Sequence, residues 1–152
     1  MNQRNFSFIV KAASLALLLA CTCANADFAG KADVSSRLKT AEARWNHSKI
    51  KSYSFIIERS CMLCEQPARV VIKNNKCVSA VAVADPKRTL SCAGLTVQEM
   101  FQEIHRRVDN PTTSVLEVTF DNKLGYLSSR FMKTNIPHET ERDQIKEFRK
   151  LD

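Results

Sequence analysis

Apolar positions along the chain follow two different periods. Val34, Leu38, Ala41 and Trp45 recur every three or four residues within 32–47, which predicts an amphipathic helix. Trp45 is the only tryptophan and is expected to anchor the core. The period then shortens to two. Tyr53, Phe55 and Ile57 alternate with Ser54 and Glu58; Ala68 to Lys73 is short and β-branched; Cys77 to Ala84 is a run of valine and alanine. These three stretches predict an antiparallel meander. Asn74-Asn75-Lys76 forms the tight turn between the second and third, because asparagine tolerates positive φ.

A second helix carries its own start and stop signals. Thr96-Val97-Gln98-Glu99 is a capping box, in which the threonine oxygen accepts from the Glu99 amide and the glutamate answers back. Val97, Met100, Phe101, Ile104 and Val108 form one apolar face, and Asp109-Asn110-Pro111 ends the helix. Val115 to Phe120 and Tyr126 to Met132 then predict a hairpin across residues 121–125. From Glu141 the pattern is ambiguous: Ile145, Phe148 and Leu151 fit a helix, and a closing strand fits as well. The expected order is α-βββ-α-ββ(β). It describes an α+β fold with two helices against one face of an antiparallel sheet of five or six strands. A buried sheet face would account for strand alternation that is only partial.

The N-terminus changes the chemistry expected of the rest. Arg4 and Lys11 precede the apolar run Ala12 to Ala20, no acidic residue appears before Asp27, and Ala24-Asn25-Ala26 has the small-x-small spacing cut by signal peptidase. Residues 1–26 are therefore read as a signal peptide and residues 27–152 as one exported domain, periplasmic or secreted. The apolar run is about half of the ~20 residues that span a bilayer, so no transmembrane span is expected. Leu18-Leu19-Ala20-Cys21 also resembles a lipobox, and lipidation at Cys21 is the alternative anchor; it would leave Cys23 as an odd thiol.

Removing the signal takes away two basic residues and no acidic one, so a net charge of +7 becomes +5. Six basic residues fall between Lys31 and Lys51 against only Asp33 and Glu42. They suit either an anionic surface or a solvated helix face. An exported chain of this kind is not expected to meet nucleic acid.

Export makes cysteine chemistry disulfide chemistry. The mature chain keeps Cys61, Cys64, Cys77 and Cys92, which allow three pairings. In a meander, Cys61 and Cys64 sit at the end of the first strand and Cys77 starts the third at the opposite end of the sheet. The expected pairs are Cys61–Cys64 and Cys77–Cys92; a different strand order would reopen Cys64–Cys77 or Cys61–Cys92. Cys61-Met62-Leu63-Cys64 also has the C-x-x-C spacing of thiol–disulfide exchange enzymes. Those motifs open helices, where the dipole lowers a thiol pKa. Here Glu65-Gln66-Pro67 follows, which opposes a helix.

Other chemistry finds little footing. His47, His105 and His138 show no metal-ligand spacing, and three glycines cannot build a phosphate-cradling loop. No metal or cofactor is expected, and no catalytic residue is assigned. Glu99 and Glu103 lie one helical turn apart, but capping accounts for Glu99 and solvation beside Arg106 and Arg107 for Glu103. His105 is expected to be exposed.

The order Trp45, Tyr53-Ser54-Phe55, Arg59-Ser60-Cys61 with Cys64, Thr96-Val97 with Phe101, and Gly125-Tyr126 resembles a bacterial domain family of unknown function found in exported proteins and lipoproteins. The resemblance spans about residues 44–150. Leu127 stands where that family has proline, Asn74-Asn75-Lys76 replaces its Asp-Gly turn, and its cysteine pair is often one residue closer. The resemblance implies an exported single domain whose tail from Gln144 is a final strand. It brings no catalytic residue with it.

The sequence thus points to a non-catalytic, disulfide-stapled exported module that binds an envelope protein, a peptide or an anionic surface. The alternative is a periplasmic thiol–disulfide exchange protein using Cys61 and Cys64. A third reading has the sheet edge pairing with a partner strand. Peptide mass mapping of the non-reduced mature protein is expected to return an N-terminus at Asp27, no lipid, and the pairs Cys61–Cys64 and Cys77–Cys92; a lipidated Cys21 or a cross-linked Cys64–Cys77 would contradict it.

Overall fold

A computed structural model describes residues 26–60 and 66–151. Along the chain run α1 (Ala26–Ser48), β1 (Tyr53–Ser60), β2 (Ala68–Lys73), β3 (Lys76–Ala82), α2 (Val97–Asp109), β4 (Thr113–Phe120), β5 (Leu127–Thr134) and β6 (Thr140–Lys150). All six strands belong to one antiparallel sheet in the order β3-β2-β1-β6-β5-β4. The expected α+β arrangement with two helices is therefore present. The tail is a strand, and it lies in the middle of the sheet.

Each element follows from local chemistry. Helix α1 begins six residues before the predicted start, buries Val34, Leu38, Ala41 and Trp45, and stops where Lys49 turns to positive φ. The β2–β3 turn uses Asn74 and Asn75, both at positive φ, as asparagine permits. Thr96 and Glu99 form the expected capping box at the start of α2.

Partial alternation has a cause that the sequence did not reveal. Cys77 and Ala80, Thr113 and Leu116, Leu127 and Arg130, and Ile145 and Phe148 each turn toward the helices although three residues separate them. A strand of strict period two would send one of each pair outward. Register shifts in all four strands supply the missing residue, with Val78, Ser114, Ser128 and Glu147 as the extras. A bulge sets two residues against one and restores the inward direction. Glu147 adopts φ +50° to do so, a conformation that glycine takes more readily.

The core is aromatic at its centre. Trp45 of α1 meets Tyr53 edge-on at 5.2 Å, Tyr53 stacks on Phe148 at 5.4 Å, and Tyr126 stacks on Phe148 at 4.1 Å. Gly125 precedes Tyr126 at φ +85°, and a Cβ there would collide with the Ala41 carbonyl oxygen of α1. Helix α1 thus docks directly on this backbone.

Both outer strands are edges, and β3 is partly covered. Ala82 N–H donates to the Arg88 carbonyl at 3.0 Å, and Leu90 N–H to the Ala80 carbonyl at 2.8 Å. The Cys77–Cys92 disulfide, with Cα atoms 5.7 Å apart, fastens the same strap to the start of β3. Closing a loop with this separation of 15 residues stabilises by ~3 kcal/mol on chain entropy. Cys61 and Cys64 lie outside the described residues, as do residues 1–25 of the expected signal segment. No helix among the described residues is long and apolar enough to cross a membrane.

Two substitutions should move stability in opposite directions. Gly125→Ala is expected to cost about 2–4 kcal/mol, from left-handed strain plus overpacking against Ala41. Glu147→Gly is expected to gain about 0.5–1 kcal/mol by relaxing the bulge, because the ion pairs of Glu147 to Arg69 and Arg149 are long and half-exposed. Urea denaturation of both variants measures the two shifts; a stabilised Gly125→Ala protein would contradict the docking of α1.

Candidate functional site

Register brings three charged residues into one row across the middle of the sheet. Arg59 of β1 pairs with Asp143 of β6, and Asp143 pairs with Arg130 of β5. The Ser128 bulge places Arg130 on the helix-facing side, beside Leu127 and Met132. Arg130 is 8% exposed and Asp143 6%. Burial of this kind is costly unless the charges meet partners.

They do meet them. Arg130 Nη2 donates to Asp143 Oδ2 at 2.7 Å and to Glu141 Oε2 at 3.2 Å. Arg59 Nε lies 3.6 Å from Asp143 Oδ1. Helix α2 closes the network from above, because Glu103, Arg106 and Arg107 share one of its faces. Glu103 pairs with Arg106 at 2.5 Å and with Arg107 at 2.6 Å, and Arg107 lies 3.7 Å from Glu141. Arg130 Nη1 reaches Glu103 only at 3.9 Å. Arg130 Nε has no hydrogen-bond partner among the described residues.

This network floors an open cleft of about 460 Å³ between the α2 side and β1, β6 and β5. Ala93, Gly94, Met100 and Gln102 complete its walls, with Arg59 and Arg106 among the lining arginines. The 77–92 bridge lies immediately before Ala93 and Gly94, so the disulfide holds the loop that forms one wall.

The start of α2 is fixed by two reaches from elsewhere. Tyr53 Oη, 44 residues away, accepts the Val97 N–H at 2.9 Å. Burial pushes the Tyr53 hydroxyl up to about 12, further than the Val97 N–H can draw it down, and the Glu99 charge adds to the rise. Glu99 accepts from the Thr96 N–H at 2.9 Å and the Thr96 hydroxyl at 2.8 Å. Desolvation raises the Glu99 carboxyl, but those bonds and the backbone N–H groups of Gly94 and Leu95 together outweigh it and hold it below its ordinary value.

Sequence reasoning placed some residues well and missed others. Glu99 caps α2, as the capping box indicates. Glu103 does more than face solvent, since it joins α2 to the sheet row. His105 is not simply exposed: its Nε2 lies 2.8 Å from Glu42 Oε1 and ties α2 to α1. His47 ends α1 and His138 lies in the β5–β6 turn. Among the described residues no group of three His, Cys, Asp or Glu side chains is placed to hold a metal. Within the basic stretch 31–51, Lys31 donates to the Asn110 carbonyl at 2.9 Å and Arg37 pairs with Asp33 at 2.9 Å. Arg130, Glu141 and Asp143 were not singled out, and Arg59 entered only through the family resemblance. The available signal was opposite charge set into neighbouring strands beside apolar residues, which register alone turns into a row.

Comparison with known families supplies one match. A family of unknown function, DUF6174, matches residues 37–136. The chain belongs to this family. The match takes in Arg59, Glu103 and Arg130 and stops before β6, which supplies Glu141 and Asp143. Neither a search of the curated proteins nor one of the solved structures returns a match. Membership brings no activity with it. The family residues recognisable from sequence are instead explained by the fold: Trp45, Tyr53, Phe55 and Phe101 pack the core, and Gly125-Tyr126 seats α1 and stacks on Phe148.

The Glu99 cap makes a pH prediction. Its folded carboxyl titrates below its unfolded one, so its stabilisation is present above the ordinary carboxylate value of 4.5 and is lost as pH falls through the lower folded value. Glu99→Gln keeps a side chain able to cap but cannot titrate. Melting temperature followed from pH 6 to pH 3 should fall less steeply in Glu99→Gln than in the wild type; parallel curves would remove Glu99 from the acid response.

Proposed function

We propose that this is an exported, non-catalytic binding protein whose recognition surface is the cleft between α2 and the β1–β6–β5 row. One observation carries the reading. Arg130 is buried at the cleft floor with donor capacity left over, while Glu99, Glu103, Glu141 and Asp143 around it are all engaged. A buried guanidinium that served structure alone would be expected to fill its donors from the protein. The rigid setting favours recognition: the row lies on central strands, and the facing helix is capped at its start.

Export is part of the proposal. Residues 1–26 are the signal peptide and residues 27–152 the exported domain, and the Cys77–Cys92 bridge supports an oxidising compartment. The partner is then an envelope protein or a peptide presented there.

A photo-crosslinking residue compares two positions in intact cells. Gln102 lines the cleft. Gln144 lies on the opposite face of the sheet, one residue from inward-facing Asp143 and Ile145. Adducts are expected at position 102 and not at 144, in the exported fraction. Equal labelling at both positions, or none at 102, would overturn the cleft as the recognition surface.

A further inference from the structure

The acids and the arginines of the cleft are not equally partnered. Both oxygens of Glu103 face guanidinium groups, those of Arg106 and Arg107. Both oxygens of Glu141 do so, toward Arg130 and Arg107, and both of Asp143, toward Arg130 and Arg59. Glu99 is occupied by its own cap. The acids are all partnered.

The donors are not. A guanidinium carries five N–H groups. Arg130 commits Nη2 to Asp143 and Glu141, leaves Nε unpartnered among the described residues, and brings Nη1 to Glu103 only at 3.9 Å. At the mouth, Arg59 and Arg106 present further N–H groups, and their side chains are 36% and 74% exposed. The unfilled groups at the floor and mouth are thus arginine N–H donors, which suit an acceptor.

Charge narrows the class. Arg59, Arg106 and Arg130 line the cleft with Glu99, Glu103, Glu141 and Asp143, and Arg107, outside the lining but paired with Glu103 and Glu141, brings the charge network to four against four. The charge of Glu99 also sits at the N-terminus of α2, where the helix dipole offsets part of it. One added negative charge suits this setting better than the two of a phosphate. A planar guanidinium matches a planar carboxylate in paired bonds. Ala93, Met100 and Leu127 add an apolar side to the same walls.

We infer that the cleft binds a monocarboxylate joined to an apolar group, either the C-terminus of a peptide or a free organic acid. This deepens the binding reading above and rests on it. Arg130 holds the carboxylate from the floor, Arg59 closes on it from the mouth, and the three acids fix the arginines without competing for the ligand.

The test titrates the purified, disulfide-bonded protein by NMR with four probes: N-acetyl-Leu-Leu with a free carboxylate, its C-terminal amide, 4-methylpentanoate and inorganic phosphate. The free-carboxylate peptide should shift the backbone signals of Gly94, Gln102 and Arg130, and its amide should bind at least tenfold more weakly. Tighter binding of the peptide than of 4-methylpentanoate assigns a chain end; the reverse assigns a free acid. Arg59→Gln, with an unchanged melting temperature as the check on its fold, should lower the affinity for the acid about tenfold and leave the weaker amide binding unchanged, the loss of one charge-assisted bond. Acid and amide binding alike at these signals, or phosphate binding tighter than both, overturns the carboxylate while the cleft remains a binding surface. No shift with any probe also overturns the carboxylate, and crosslinking at position 102 then decides the binding reading separately.

Discussion

The last strand described, β6, is one of the two central strands of the sheet, and the molecule depends on that placement. β6 pairs with β1 on one side and β5 on the other. Without it, the β1–β2–β3 meander and the β4–β5 hairpin would be separate pieces, each with a bare edge. Its pairing with β1 joins residues about 90 positions apart, so the sheet closes only when β6 is in place. Loop-closure entropy makes such contacts slow to form, though not weak once formed. The same strand does two local jobs. Its first half brings Asp143 between Arg59 and Arg130. Its second half brings Phe148 beneath Trp45 and against Tyr53 and Tyr126.

The bulge at Glu147 lets one strand do both. Asp143 and Ile145 face the helices by ordinary alternation, and the next inward position in strict register would be 147. A charged residue there would enter the aromatic cluster. The extra residue leaves Glu147 half-exposed and delivers Phe148 instead. From there the physical chain reaches the cleft. Phe148 supports Tyr53, and the buried hydroxyl of Tyr53 holds the first N–H of α2. The capped start of α2 fixes the height at which Glu103 and Arg106 stand above Arg130. Aromatic packing and cleft geometry are thus parts of one structure.

How much was legible in the sequence follows from the range of each interaction. The capping box at Thr96 and the turn at Asn74-Asn75 are settled within four residues, and both were readable. So were the apolar faces of the two helices. The tail was ambiguous for a definite reason. Ile145, Phe148 and Leu151 are spaced by three, which is a helical interval, and a strand acquires that interval only through a bulge. The same disguise affects Leu127 and Arg130, so nothing in the local pattern turned Arg130 inward. The charged row needs one further step, the alignment of strands from three regions of the chain. Opposite charges in β1, β5 and β6 carry no mark of their pairing until register is known. Site residues fixed by long-range register were therefore the ones missed.

The buried row also bears on why the chain retains these charges. Taking ions out of water costs several kcal/mol each, and well-packed apolar residues in their place are often neutral or stabilising. Stability alone is thus a weak reason for Arg130 and Asp143 at the centre of a sheet whose neighbouring positions are leucine, methionine and isoleucine. A specific geometry is a stronger one. Asp143 and Glu141 hold one edge of the guanidinium, and the remaining N–H groups keep a fixed direction on a side chain that is 8% exposed, where each is worth more than at the surface. An arginine held in this way recognises a ligand with little ordering still to be done. The features that make Arg130 a poor core residue are those that would suit it to the binding proposed above.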